Sequence, residues 1–193
     1  MNRICFATNN KHKLREVRSA LEPRISIVSL EEIGCFDELP ETTDTLEGNA
    51  MQKANFVLQN FGIPCFADDT GLEVDALNGQ PGVYSARFAG PQRDDEDNIK
   101  LLLSRLGNSS NRQAQFRTVI ALAGINEAPI LFEGVIAGEI IENRKGTDGF
   151  GYDPVFKPKG SELTFAEMTL AQKNSMSHRG QAVRKLTDFL LSL

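Results

Sequence analysis

Two adjacent carboxylates follow directly on an apolar run in Pro64-Cys65-Phe66-Ala67-Asp68-Asp69-Thr70-Gly71-Leu72, and any fold of this chain must house both charges. The apolar run reads as a short buried strand that Asp68-Asp69 ends. In α/β proteins, ligands collect beyond the carboxyl ends of strands. Hard divalent cations take oxygen ligands, commonly one or two carboxylates together with substrate phosphates. The pair is therefore a candidate metal or general-base site. It also suits a turn, because Asp side chains bond the backbone two residues on.

The surrounding pattern predicts an α/β chain. Arg3 to Ala7 reads as a strand, and Lys11 to Leu21 as a helix with Leu14, Val17 and Leu21 on one face. Between them, Thr8-Asn9-Asn10-Lys11-His12-Lys13 joins a strand to a helix start, where free backbone N–H groups favour anions. Lys11 and Lys13 add charge, although two surface lysines at a solvated helix start have the same appearance. Ile25 to Ser29 is a second strand. Asp44 and Glu47 have capping-box spacing before a helix carrying Leu46, Ala50, Ala54, Val57, Leu58 and Phe61, with Gly62 as its stop. Glu41, in the loop before that helix, has no structural partner legible in the sequence.

Leu72 to Leu77 reads as a short extended piece, Asn78-Gly79 as a tight turn, and Asp94 to Leu106 as a helix stopped by Gly107. Ala114 to Ala123 alternates as a long strand, and Pro129 to Ile141 as a further long strand pair with kinks at Gly134 or Gly138. Gly146-Thr147-Asp148-Gly149-Phe150-Gly151-Tyr152-Asp153-Pro154 makes a poor strand or helix. Its glycines allow close backbone approach, and an aromatic there can stack on a flat ring. Thr164 and Glu167 box a short helix through Ala171, and Lys173 to Arg179 reads as a donor-rich loop. Ser177 caps a final helix, which puts His178 and Arg179 in its first turn, where cations oppose the helix dipole unless an anion meets them. The tripeptide Cys-Phe-Ala occurs at positions 5–7 and again at 65–67 and reads as coincidence.

Bulk properties exclude several classes. The 193 residues predict one domain, 1–193, with a strand-rich middle and helical flanks on a mixed sheet. No apolar run is long enough to cross a bilayer, and the first residues lack the order of a signal peptide. Three well-separated cysteines suggest neither a disulfide framework nor a zinc site, so a reducing cytoplasm is expected. A formal charge of -5 argues against a nucleic-acid-binding face. Only His12 and His178 are present, so a three-histidine zinc site is impossible. Carboxylates, lysines, an arginine and an aromatic glycine loop remain, an inventory suited to metal-assisted hydrolysis of a phosphate anhydride. An aspartyl-phosphate phosphatase is a poorer match, because its nucleophile loop needs a residue between the two aspartates. A non-catalytic nucleotide sensor would not need the carboxylates.

Six stretches carry a resemblance in order along nearly the whole chain: Thr8 to Lys13, Glu47-Gly48-Asn49-Ala50, Ala67 to Leu72, Pro81-Gly82-Val83-Tyr84-Ser85-Ala86-Arg87, Gly149 to Pro154, and Ser177-His178-Arg179-Gly180-Gln181-Ala182. Together they resemble the inosine triphosphate pyrophosphatase family. That resemblance implies magnesium-dependent hydrolysis of the noncanonical purine nucleotides ITP, dITP and XTP to monophosphate and pyrophosphate, with manganese able to substitute. It implies an elongated two-lobed α/β fold around a long mixed sheet with flanking helices, an active-site cleft between the lobes, and a homodimer. Carried onto this chain, Thr8, Asn9, Asn10, Lys11, His12 and Lys13 would hold phosphates. Asp69 would accept the proton and bind metal, with Glu41 as second ligand and Asp68 as the alternative. Thr70 would contact substrate. Phe150, Gly151, Tyr152, Asp153, Lys173, His178 and Arg179 would bind the nucleotide, chiefly at the base. Asn9 and Thr70 stand where the family often has Gly and Ser.

Overall fold

The computed structural model describes residues 3–22 and 24–193. Its strands are β1 (Arg3–Phe6), β2 (Ser26–Val28), β3 (Cys65–Val74), β4 (Pro81–Gly82), β5 (Gln113–Ala123), β6 (Ile130–Ile140) and β7 (Phe156–Pro158). Its helices are α1 (Lys11–Leu21), α2 (Leu46–Phe61), α3 (Asp95–Leu106), α4 (Leu170–Met176) and α5 (His178–Leu191). The strands form one mixed sheet in the order β2-β1-β3-β5-β6-β7, with β4 paired to β3. The predicted α/β class with a mixed sheet and flanking helices is thus observed. No helix among the described residues is long and apolar enough to cross a membrane.

The chain divides into two compact units, each assembled from separate stretches. The first comprises Met1–Asp69, Thr118–Gly134 and His178–Leu193. Here β1 runs parallel to both β2 and β3. Cys5 pairs with Cys65 and Phe6 with Phe66, and the two phenyl rings stack with centroids 4.7 Å apart. The repeated Cys-Phe-Ala thus lies on two neighbouring parallel strands with its Cys and Phe in register. Val17 and Leu21 of α1 and Val183 and Leu186 of α5 close this core around Phe6 and Phe66. Gly134 of β6 lets the start of α5 lie flush, since a Cβ there would strike the carbonyl of His178.

Two sequence expectations in this unit are corrected. Thr45, not Asp44, caps α2, its hydroxyl accepting from the Gly48 amide at 3.1 Å. Asp68-Asp69 does not end a strand. β3 continues through both aspartates and Gly71 to Val74, because its neighbours supply ladder partners beyond the apolar run.

The second unit comprises Thr70–Arg117 and Val135–Ser177. Its core joins Leu72 and Val74 to Ile99 and Leu102 of α3, with Phe116, Phe156 and Phe165 packed ring against ring. Asp94 caps α3 by accepting from the Asp97 amide at 2.9 Å. Only Leu72 to Val74 of the predicted extended piece is strand; Asp75–Leu77 is a 3-10 turn. Pro129 to Ile141 is one strand, β6, rather than a pair. Thr164 and Glu167 do form a capping box, but over a 3-10 turn at Phe165–Glu167. A second box, Thr169 with Gln172, starts α4, so Lys173 lies on a helix and not in a loop.

Candidate active site

Successive residues of a strand point to opposite faces, and β3 uses this to give its two aspartates different surroundings. Both are buried, Asp68 at 2% and Asp69 at 7% exposure. Asp68 meets α1 and α5. Its carboxylate accepts from Lys13 Nζ at 3.1 Å and from Arg179 Nε and Nη2 at 3.1 and 3.0 Å. Arg179 Nη1 also donates to Glu16 at 2.6 Å. Burial by itself would raise the Asp68 pKa, but Lys13, Arg179 and Lys53 more than offset it and hold the carboxyl well below the usual carboxylate range. Burial likewise opposes the charge on Arg179, and the two carboxylates reverse the effect and keep it firmly protonated.

Asp69 meets α2. Its Oδ2 accepts from Asn49 Nδ2 at 3.1 Å and its Oδ1 from Lys53 Nζ at 3.2 Å. Lys53 Nζ also donates to Glu41 Oε1 at 2.5 Å, so Glu41 and Asp69 converge on one ammonium group. Burial lowers the Lys53 pKa, while Asp69 and Glu41 raise it by more, and the net shift is upward. The four carboxylates and three cations bonded in this way carry one net negative charge.

The turn from Thr8 to Lys13 is organised by Asn10, the cap of α1. Its Oδ1 accepts from the His12 and Lys13 amides at 2.9 and 3.1 Å, and its own amide donates to Thr8 Oγ1 at 3.2 Å. Those two amides are therefore not the free donors that the sequence suggested, because a side-chain cap has taken them. Asn9 donates to the Asp37 carbonyl at 3.3 Å, and Lys11 and His12 are exposed. Lys13 is not a solvated surface lysine: its side chain is only 14% exposed.

In the second unit, the 146–154 loop holds a second buried ion pair. Asp153 Oδ2 accepts from Lys173 Nζ at 2.6 Å and from the Phe150 amide at 2.9 Å. Gly149 is required beside it: φ is +80°, and a Cβ would collide with the Asp153 carboxylate. Tyr152 is buried and donates its hydroxyl to the Ser85 carbonyl at 2.9 Å, so it anchors the loop. Phe150 is half-buried with the Lys173 ammonium 5.0 Å from its ring centre. Thr70 is half-buried, on β3 directly after Asp69.

The first unit therefore gathers Lys13, Asp68, Asp69, Glu41 and Arg179, and the second gathers Phe150, Tyr152, Asp153 and Lys173. His178 is buried in the first turn of α5, as the sequence predicted. The anions that Arg179 meets there are the chain's own Asp68 and Glu16. Sequence reasoning gave no role to Glu16, Asn49 or Lys53. A signal existed: Asn49 and Lys53 sit four apart on α2 beside Ala50 and Ala54, polar residues on a buried face. Glu16 follows Lys13 by one helical step in the same way.

Fold and site define the class: an α/β protein with a buried centre of carboxylates, ammonium groups and a guanidinium. The chain belongs to the Ham1 family, whose sequence profile matches residues 4–189. It is 54% identical over 188 residues to the dITP/XTP pyrophosphatase of Flavobacterium johnsoniae, covering 97% of each chain. To the dITP/XTP pyrophosphatase of Porphyromonas gingivalis it is 53% identical over 192 residues, covering 99% of this chain and 98% of that one. Among solved structures, it matches the HAM1 protein from Coxiella burnetii with a TM-score of 0.90 at 37% identity, over 100% of both chains. It matches the Staphylococcus aureus Ham1 protein with a TM-score of 0.88 at 38% identity, over 98% of both.

Proposed function

We propose that this protein hydrolyses noncanonical purine nucleoside triphosphates (ITP, dITP and XTP) to the monophosphate and pyrophosphate, using magnesium. The observation that carries the reading is the convergence of Glu41 and Asp69 on a single ammonium group, 2.5 and 3.2 Å away, in a cluster with net negative charge. The near-full-length likeness to proteins called dITP/XTP pyrophosphatase supports the substrate class.

The donor set fits a hard cation. It offers oxygen only, which favours magnesium or manganese over zinc. Among the described residues, no three His, Cys, Asp or Glu side chains group to hold a metal. Two carboxylates suffice for magnesium when substrate phosphates and water complete its shell. Glu41 and Asp69 would hold it, in place of the link that Lys53 now provides. Asp68, already bonded to Lys13 and Arg179, is the poorer candidate. When bound, the ion neutralises phosphate charge and polarises the phosphorus centre.

The chain's own groups do the rest. Asp69 takes the proton from the attacking water, and Asn49 holds its other oxygen still. Lys13, with the Thr8 to Lys13 turn, binds phosphate oxygens, and Thr70 contacts the substrate. In the second unit, Phe150 stacks on the purine while Gly151, Tyr152, Asp153 and Lys173 shape its surroundings. His178 can donate and Arg179 has donors only, so both suit the 6-oxygen of hypoxanthine and xanthine and mismatch the adenine amino group. The motif resemblance supports a homodimer, and the three well-separated cysteines support a reducing cytoplasm.

Chelation tests the reading. Stripping divalent metal is expected to abolish turnover of ITP, and magnesium to restore it. Full turnover in metal-free buffer would overturn the carboxylate–metal assignment.

A further inference from the structure

The first turn of α3 holds the aromatic glycine loop at two places, although no sequence motif singles it out. Asp95 Oδ2 accepts from the Gly151 amide at 2.6 Å. Glu96 pairs with Arg144, two residues before the loop's first glycine. The loop's ends are already joined by the Lys145 amide donating to the Pro154 carbonyl at 2.9 Å. Inside it, Asp153 fixes the Phe150 amide, and Tyr152 is tied to Ser85. The Gly151 amide lies between those two anchors and donates to α3. An exposed ion pair such as Glu96–Arg144 contributes little. A charged acceptor on an amide within the loop is stronger and directional.

We propose that Asp95 is a positioning residue for the base-binding loop: through the Gly151 amide it sets the pose of Phe150. This rests on the reading of that loop as the base site. Acting through the Gly151 amide, Asp95 affects base affinity and not the chemical step. It belongs to the second unit, whereas the groups read as binding phosphate, Lys13 and the Thr8 to Lys13 turn, belong to the first.

The test compares Asp95→Ala, Asp95→Asn and Phe150→Ala with the wild type in the full chain with magnesium. IMP inhibition reports the base and inorganic tripolyphosphate inhibition reports the phosphate residues. One lost charge-assisted hydrogen bond corresponds to about tenfold in affinity. Asp95→Ala is expected to raise the IMP inhibition constant and the ITP KM by about that factor, with kcat and the tripolyphosphate constant nearly unchanged. Asp95→Asn keeps an acceptor oxygen and should recover most of the loss. If Phe150→Ala weakens IMP but Asp95→Ala does not, the positioning role is overturned while the base-site reading stands. If neither variant weakens IMP, the base-site reading fails and this inference falls with it. Equal weakening of IMP and tripolyphosphate in Asp95→Ala would also overturn it, by showing a general loss of structure.

Discussion

The two units solve the same problem, keeping charge buried, in opposite ways. In the first, long elements do it: β3 carries Asp68 and Asp69 on opposite faces, and α1, α2 and α5 bring Lys13, Lys53 and Arg179 to them. In the second, a loop does it: one pair, Asp153 with Lys173, sits under a backbone shaped by glycine. A network on rigid elements holds reacting groups to a fixed geometry, as chemistry requires. A loop pinned by a few single bonds can be reshaped residue by residue, as recognition requires. Mutations of the first region's charged groups should therefore cost rate or stability, and those of the loop's contact residues, such as Phe150, should cost chiefly affinity.

The largest effect is expected at Asp69. Asp69→Asn keeps the shape but removes charge and basicity, and loss of a general base costs ~10²–10⁴-fold in rate. Turnover should collapse while circular dichroism shows an intact fold. Near-normal turnover would move the base to Asp68 or Glu41.

Next comes Arg179. Arg179→Ala leaves Asp68 and Glu16 buried without their guanidinium, and breaking a buried pair costs about 3–5 kcal/mol. Denaturant unfolding should read that loss, and the preference for ITP over ATP should fall with it. A preference that holds while stability falls would assign Arg179 to positioning Asp68 and not to reading the base.

The smallest effect belongs to the loop. Base stacking on an aromatic contributes roughly 1–3 kcal/mol, so Phe150→Ala should raise the ITP KM with little change in kcat or in unfolding midpoint. A kcat that drops as far as in Asp69→Asn would erase the contrast between the regions.

Much of this was legible in the sequence. The extent of α1 follows from the Leu14, Val17 and Leu21 stripe, and Gly62 and Gly107 stop α2 and α3 as their conformational freedom predicts. The end of β3 was not legible, because its second half is held by ladder partners distant in sequence, and two charges inside a strand contradict its apolar pattern. Lys53 and Asn49 escaped notice for a related reason. A polar residue on an apolar helix face looks like an imperfection until the carboxylate it meets is known. The Lys173 helix was hidden by its own cap: Thr169 and Gln172 form a box so soon after Thr164 and Glu167 that the two read as one element.

The central claim, that this cluster cleaves noncanonical purine triphosphates to release pyrophosphate, is tested most directly by a panel of nucleoside triphosphates with separate detection of pyrophosphate and inorganic phosphate. Pyrophosphate should appear with the monophosphate from ITP, dITP and XTP, with specificity constants well above those for ATP and GTP. Inorganic phosphate as the first product, or equal turnover of ATP and ITP, would contradict it.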